Sequence, residues 1–76
     1  MLTTYEWHNK EKNRYYIIFI IKKNNSNMIL NHQWGSRDSN RGGNKNIYIR
    51  NEEEATLYME KMIKRRKSRG YNLIAP

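Results

Sequence analysis

Apolar residues follow two different patterns along this 76-residue chain. Runs rich in aromatic and β-branched residues fill the first half, whereas apolar residues recur at helical spacing near the C-terminus. The strongest strand signal is residues 14–22, RYYIIFIIK, where apolar residues do not alternate with polar ones. That pattern predicts a central strand covered on both faces. Segments 2–7 and 28–35 predict two further strands.

One long helix is predicted to begin after Asn51. Asn51 is a favourable N-cap, Glu54 occupies the capping-box position, and the first turn is acidic. Gly70 is a favourable residue to end the helix, which then runs for about 17 residues and about 26 Å. The face predicted to pack on the sheet is formed by Ala55, Tyr58, Met59, Met62 and Ile63.

The segments between these elements are predicted to be mostly irregular. Residues 23–27 predict a hairpin turn, and residues 36–46 predict a polar loop with glycines. Residues 47–50 are short and β-like, and residues 71–74 predict a last edge strand or a docked terminus. The expected fold class is α+β in one domain over residues 1–76. A small antiparallel sheet of three to five strands would pack against one long C-terminal helix.

The net charge of the chain narrows the classes of binding partner. Fifteen Lys and Arg against seven Asp and Glu give a net charge of +8, which favours nucleic acid first and an anionic membrane surface second. No apolar run approaches the roughly 18 residues of a membrane span. Residues 1–20 lack the pattern of a signal peptide. We therefore expect a cytoplasmic protein without a membrane partner.

Composition also argues against metal sites and catalysis. The chain has no cysteine and only two histidines, His8 and His32, too few ligands for structural zinc. His32 is interpreted as a packed histidine. The sequence lacks a phosphate-binding lysine loop, a cysteine nucleophile and a His–acid pair spaced for one face of a helix. We expect no enzyme activity, no catalytic residue and no cofactor.

An ordered series of short motifs resembles the WGR domain. It starts with Asn13-Arg14-Tyr15-Tyr16 and continues through a hairpin to Trp34-Gly35 and a glycine-containing polar loop. Ala55, the basic stretch 61–67 and Gly70-Tyr71 extend the resemblance, which covers residues from about 5 to 74. The third position of the Trp-Gly-Arg motif is Ser36 here, and Arg37 follows it.

The resemblance implies a WGR-like fold and a nucleic-acid partner, most simply DNA. The family occurs as a module of poly(ADP-ribose) polymerases and as small bacterial proteins. In the polymerases the module binds DNA near strand breaks, with the motif Trp on sugar or base and the motif Arg at the backbone. For this chain the resemblance assigns the stacking role to Trp34. The backbone contact either passes to Arg37 through a shifted loop or is lost with Ser36 at the motif position.

Residue chemistry points to the same region. An indole can stack on a base or sugar, and neighbouring Arg and Lys side chains neutralise phosphates. The basic helix end would extend this footprint. The competing interpretation is that Trp34 closes one end of the fold while the charges only solvate a loop. The predicted nucleic-acid-binding residues are Trp34, Arg37, Arg41, Asn44, Lys45, Lys64, Arg65 and Lys67.

Two functions therefore stay open at the level of sequence. The first is a nucleic-acid-binding module that contacts DNA backbone or ends without sequence specificity, with DNA against RNA undecided. The second is a small basic protein-interaction module or inhibitor, for example a phage-type anti-defence protein. It would dock on an acidic protein surface or a nucleoprotein complex. The edges of so small a sheet also leave room for a homodimer.

Overall fold

The fold is an antiparallel sheet covered on one face by a helix. The computed structural model describes residues 2–23, 27–39 and 41–75. The elements are β1 (Leu2–Asn9), β2 (Arg14–Lys22), β3 (Met28–Ser36), β4 (Gly42–Ile49), α1 (Glu52–Ser68) and β5 (Asn72–Ala75). Neighbouring strands are antiparallel in the order β4-β3-β2-β1-β5. This confirms the α+β prediction, with β2 at the centre and β5 at an edge.

The core lies between α1 and one face of the sheet. The helix buries Ala55, Met59, Met62 and Arg66, which recur at helical spacing. Side chains alternate between the two faces of each strand, so every second strand residue points to the side of the sheet that carries the helix. The largest fully buried side chains are Trp7, Ile18, Leu30 and His32. The predicted sheet-packing face of the helix is therefore confirmed.

The prediction that both faces of β2 are covered is wrong. Among residues 2–23, 27–39 and 41–75, no element packs on the face opposite α1. Ile17 and Phe19 are half-buried there, and Ile21 is 37% exposed. Side chains on the neighbouring strands cover part of their surface. Gln33, for example, lies beside Ile17. The unbroken apolar run thus reflects a central position in the sheet rather than a second covering layer.

The predicted loop over residues 36–46 is also partly wrong. β3 continues through Ser36 and β4 begins at Gly42, so only residues 37–41 connect the two strands. Gly, Asn and Lys have low strand propensity, but pairing with β3 overrides it. Gly42 is required at this point because a Cβ there would collide with the backbone oxygen of Trp34. For the predicted hairpin turn, residues 24–26 lie outside the described residues.

The helix boundaries agree with their local signals. At the start, the Asn51 side-chain oxygen accepts a hydrogen bond of 2.8 Å from the Glu54 N–H. At the end, Gly70 has φ +86°, and its N–H donates to the Lys67 carbonyl at 3.0 Å. The next N–H, that of Tyr71, donates at 2.9 Å to a carbonyl one turn back in the helix. These two bonds form a Schellman motif, which turns the chain back toward the sheet.

His32 is held in a buried hydrogen-bond network, as its interpretation as a packed histidine requires. Its Nδ1 is 2.9 Å from the Tyr16 hydroxyl, and its Nε2 is 3.1 Å from the Tyr58 hydroxyl. The side chain is 0% exposed. Burial lowers the pKa of His32, the nearby positive charges of Lys45 and Arg66 act in the same direction, and together they bring it to about 4.

We expect the free energy of unfolding to decrease as the pH falls from the ordinary His pKa of 6.5 toward about 4. In this window the unfolded chain binds a proton at His32 while the folded chain does not, so the slope approaches about 1.4 kcal/mol per pH unit. Urea unfolding of wild type and His32→Gln at several pH values measures the effect. All other ionisable groups are shared, so an equal pH dependence of the two proteins would contradict it.

Candidate nucleic-acid interface

Trp34 lies in a cross-strand row at the end of the sheet that faces the C-terminal end of α1. Tyr16, Trp34 and Gly43 are direct neighbours on β2, β3 and β4. The indole stacks on the Tyr16 ring, with centroids 6.1 Å apart and planes at 16°. A Cβ at Gly43 would lie 2.7 Å from the Trp34 Cζ2 atom. Trp34 is half-buried, so the indole packs on the sheet and still presents part of its surface.

A buried arginine lies behind this indole. The Arg66 guanidinium is 4.2 Å from the centroid of the Tyr16 ring and 5.3 Å from that of Tyr71. Arg66 is 7% exposed, and its Nε has no hydrogen-bond partner among the described residues. Burial lowers the pKa of Arg66 and raises the pKa of Tyr16. Arginine nevertheless stays protonated in proteins, so a positive charge is held at this site.

Three adjoining grooves at this end form one surface, here called the basic cleft. Arg14 and Tyr71 line all three grooves, and Trp34 lines two of them. The lining includes seven cations, and no carboxylate is among the described residues that line it. Charges of one sign in a concave surface raise the local concentration of a polyanion. The seven cations are Lys12, Arg14, Arg41, Lys45, Arg65, Arg66 and Arg69.

The structure brings half of the predicted binding residues together. Four of the eight line the basic cleft, namely Trp34, Arg41, Lys45 and Arg65. Arg37 is exposed just after β3, and its backbone N–H donates to the Asn13 carbonyl at 2.9 Å. It follows Ser36, which lines the cleft, and it belongs to the same connection as Arg41, so its backbone lies at the rim of the cleft.

The other three predicted residues lie outside the cleft. Asn44 stands between Gly43 and Lys45 on β4, so strand alternation directs its side chain to the opposite face of the sheet. Lys64 and Lys67 are exposed on α1, and neither lines a groove of the cleft. The basic run at the helix end is thus divided: Arg65, Arg66 and Arg69 belong to the cleft, and the two lysines do not.

Five residues that line the cleft are not among the eight predicted ones, although Arg66 and Arg69 belong to the basic helix end that was expected to extend the footprint. They are Lys12, Arg14, Arg66, Arg69 and Tyr71. Two of them carried a usable signal. Arg14 lies two residues before Tyr16 on one strand and so shares its face. Arg66 follows Met62 by four residues and so continues the buried face of the helix. The position of Tyr71 depends on the Schellman motif and on β5 pairing, which the local sequence does not reveal.

The donor chemistry of this end suits an anion. Among the described residues, no group of three or more His, Cys, Asp or Glu side chains could hold a metal ion. The described helical residues also include no apolar segment of the length that a membrane-spanning helix requires. Guanidinium, ammonium and backbone N–H groups are the donors that bind phosphate oxygens.

Comparison with known proteins identifies a family for this chain. A family model described as WGR domain matches residues 1–75. The match includes the strand that carries Trp34-Gly35, the glycines of β4, the helix and Tyr71. No curated protein and no solved structure matches the chain significantly.

Gly43→Ala is expected to displace the Trp34 indole, because the new Cβ would lie 2.7 Å from Cζ2. Overpacking of this kind costs about 1–3 kcal/mol. Near-UV circular dichroism and chemical unfolding measure the two effects. Asn44→Ala, one residue along the same strand with an exposed side chain, is the control. An unchanged aromatic spectrum and stability in Gly43→Ala would show that the indole does not rest on this glycine.

Proposed function

The chain belongs to the WGR domain family, and from this premise we propose that it is a non-catalytic nucleic-acid-binding module. It contacts DNA through the sugar-phosphate backbone or a strand end, without reading sequence. The observation that carries the proposal is the basic cleft: seven cations and no described carboxylate surround Trp34 and Tyr71.

The cations of the cleft supply the affinity. Arg14 and Arg65 present planar guanidinium groups that suit bidentate contacts with phosphate oxygens, and Lys45 adds a point charge. Arg66 adds a positive charge from its buried position, where dissolved salt screens the charge less than at the surface. Contacts of this kind position a protein on the backbone but carry no sequence information. Arg37 extends the contact at the rim.

The aromatic side chains make a second contribution to nucleic-acid binding, one that does not depend on charge. Trp34 and Tyr71 line the cleft and are both half-buried, so each offers part of its ring to a base or sugar. Stacking of a base on an aromatic side chain is worth about 1–3 kcal/mol. Every base has a π-face, so this contribution tolerates any sequence. A nick or an end exposes bases and sugars that a continuous duplex hides, which favours such sites.

Fluorescence anisotropy with blunt duplex, nicked duplex, single-stranded DNA and double-stranded RNA tests the proposal. We expect micromolar or tighter binding at about 150 mM salt, a concentration at which nonspecific charge attraction is already weak. Trp34→Ala should remove most of it. Weak binding that is equal on all four ligands and indifferent to Trp34 would contradict the proposal. An acidic protein partner would then be favoured, and a pulldown that survives nuclease treatment would identify it.

Arg65→Ala and Lys64→Ala form a matched pair for the cleft itself. Both remove one exposed positive charge from the same helix end, but only Arg65 lines the cleft. If about four to six phosphates are engaged, log K should fall with log salt at a slope near −4 to −5. Arg65→Ala should make that slope shallower by about one, and Lys64→Ala by clearly less. Equal effects of the two substitutions would show that net charge, and not the cleft, determines binding.

A further inference from the structure

The sheet face opposite α1 carries a row of apolar side chains that no described element covers. We call it the outer face. Its apolar residues on β2 are half-buried except Ile21, which is 37% exposed, and Tyr48 on β4 is 73% exposed. Strand pairing makes Ile29 the direct neighbour of both Ile21 and Tyr48. These apolar residues are Tyr15, Ile17, Phe19, Ile21, Ile29 and Tyr48.

The outer face is also nearly free of charge, although the chain carries +8. Alternation along the described strands places no lysine or arginine on it. Its one carboxylate, Glu6, is 2.6 Å from the Nε2 atom of His8. The absence of cations makes this face unsuitable for a polyanion or an anionic membrane, unlike the basic cleft on the other side of the sheet.

Polar groups on the outer face already bond to one another. The Asn31 side chain donates to Asn46 at 2.7 Å, and the Gln33 side chain donates to Asn31 at 3.0 Å. A buried polar group costs little when it keeps its hydrogen bonds. A partner that covers this part of the face can therefore leave these two hydrogen bonds in place.

We propose that the outer face is the interface of a homodimer, in which two copies pack this face against each other. Strongly basic chains repel where their cations meet, and the outer face lets two copies approach without bringing cations together. The face is a sheet surface rather than a groove, so it fits a second sheet about 10 Å away. A two-fold axis makes the patch complementary to itself, apolar β2 against apolar β2.

The area of the face is sufficient for this partner. Four strands of about eight residues, spaced about 4.8 Å apart with about 3.3 Å per residue, present roughly 500 Å² of plane. Two such faces together bury roughly 1,000 Å², which reaches the lower size limit of specific interfaces. The dimer should accordingly be a weak to moderate one, forming in the micromolar range.

A dimer of this geometry has a consequence for binding. The basic cleft of each copy lies on the side of its sheet that faces away from the partner, so the dimer carries two clefts on opposite surfaces. It could then hold two nucleic-acid segments at once. That consequence rests on the proposed function, whereas the dimer itself does not.

Sedimentation equilibrium of the purified chain without nucleic acid tests the dimer directly. The mass should rise from 9.3 kDa toward twice that value as the protein concentration increases through the micromolar range. Ile21→Lys and Tyr48→Lys should each weaken association at least tenfold, because each would bury a charged ammonium group in an apolar interface. Tyr48 is mostly exposed, so its substitution leaves the fold intact, which circular dichroism checks.

Leu57→Lys is the matched control. Leu57 is an exposed apolar residue on α1, 55% accessible, and its substitution adds the same charge away from the outer face. It should leave the dimer unchanged. A wild-type mass that stays at 9.3 kDa throughout would overturn the proposal. So would a dimer that resists both outer-face substitutions, or one that Leu57→Lys weakens equally. Nucleic-acid binding is measured separately, so failure of either proposal leaves the other standing.

Discussion

Both the core and the basic cleft depend on the contacts made by the buried ring of Tyr16. It stacks under Trp34, meets Trp7 edge to face, and lies beneath the guanidinium of Arg66. Its hydroxyl bonds to His32, which ties the central strand to the helix through a second tyrosine. Because one side chain joins sheet, helix end and indole, the position of the candidate binding surface is determined by the packing of the core.

The same packing holds a buried positive charge at Arg66. A buried cation is costly unless neighbouring groups stabilise it, and here two tyrosine rings do so through cation–π contacts. No described carboxylate forms an ion pair with it. Its charge therefore adds to those of the surrounding cleft rather than being neutralised within the fold. The described strand residues of the opposite face include no lysine or arginine, so the molecule separates a cationic surface from a nearly uncharged, apolar one.

Local signals made the helix and the strongest strand predictable, because Asn51 and Gly70 act through bonds to residues three or four positions away. β4 was not predictable in the same way, since its glycines and asparagines become a strand only by pairing with β3. The residues of the candidate site differ in the same way, since some follow from local sequence and others only from the tertiary fold. Trp34 is predictable as a candidate from its motif and the neighbouring charges. Arg14 and Tyr71 were missed because strand pairing and the helix-ending turn bring them together.

An NMR titration of ¹⁵N-labelled protein with a short blunt DNA duplex tests the central claim, that the basic cleft binds nucleic acid. The indole N–H of Trp34 and the backbone amide of Tyr71 should shift with saturation. The indole N–H of Trp7, which is 1% exposed, should move little, and the amides of Tyr48 and Leu57 should stay in place. Shifts concentrated on the outer face, or spread evenly over all exposed amides, would contradict the account.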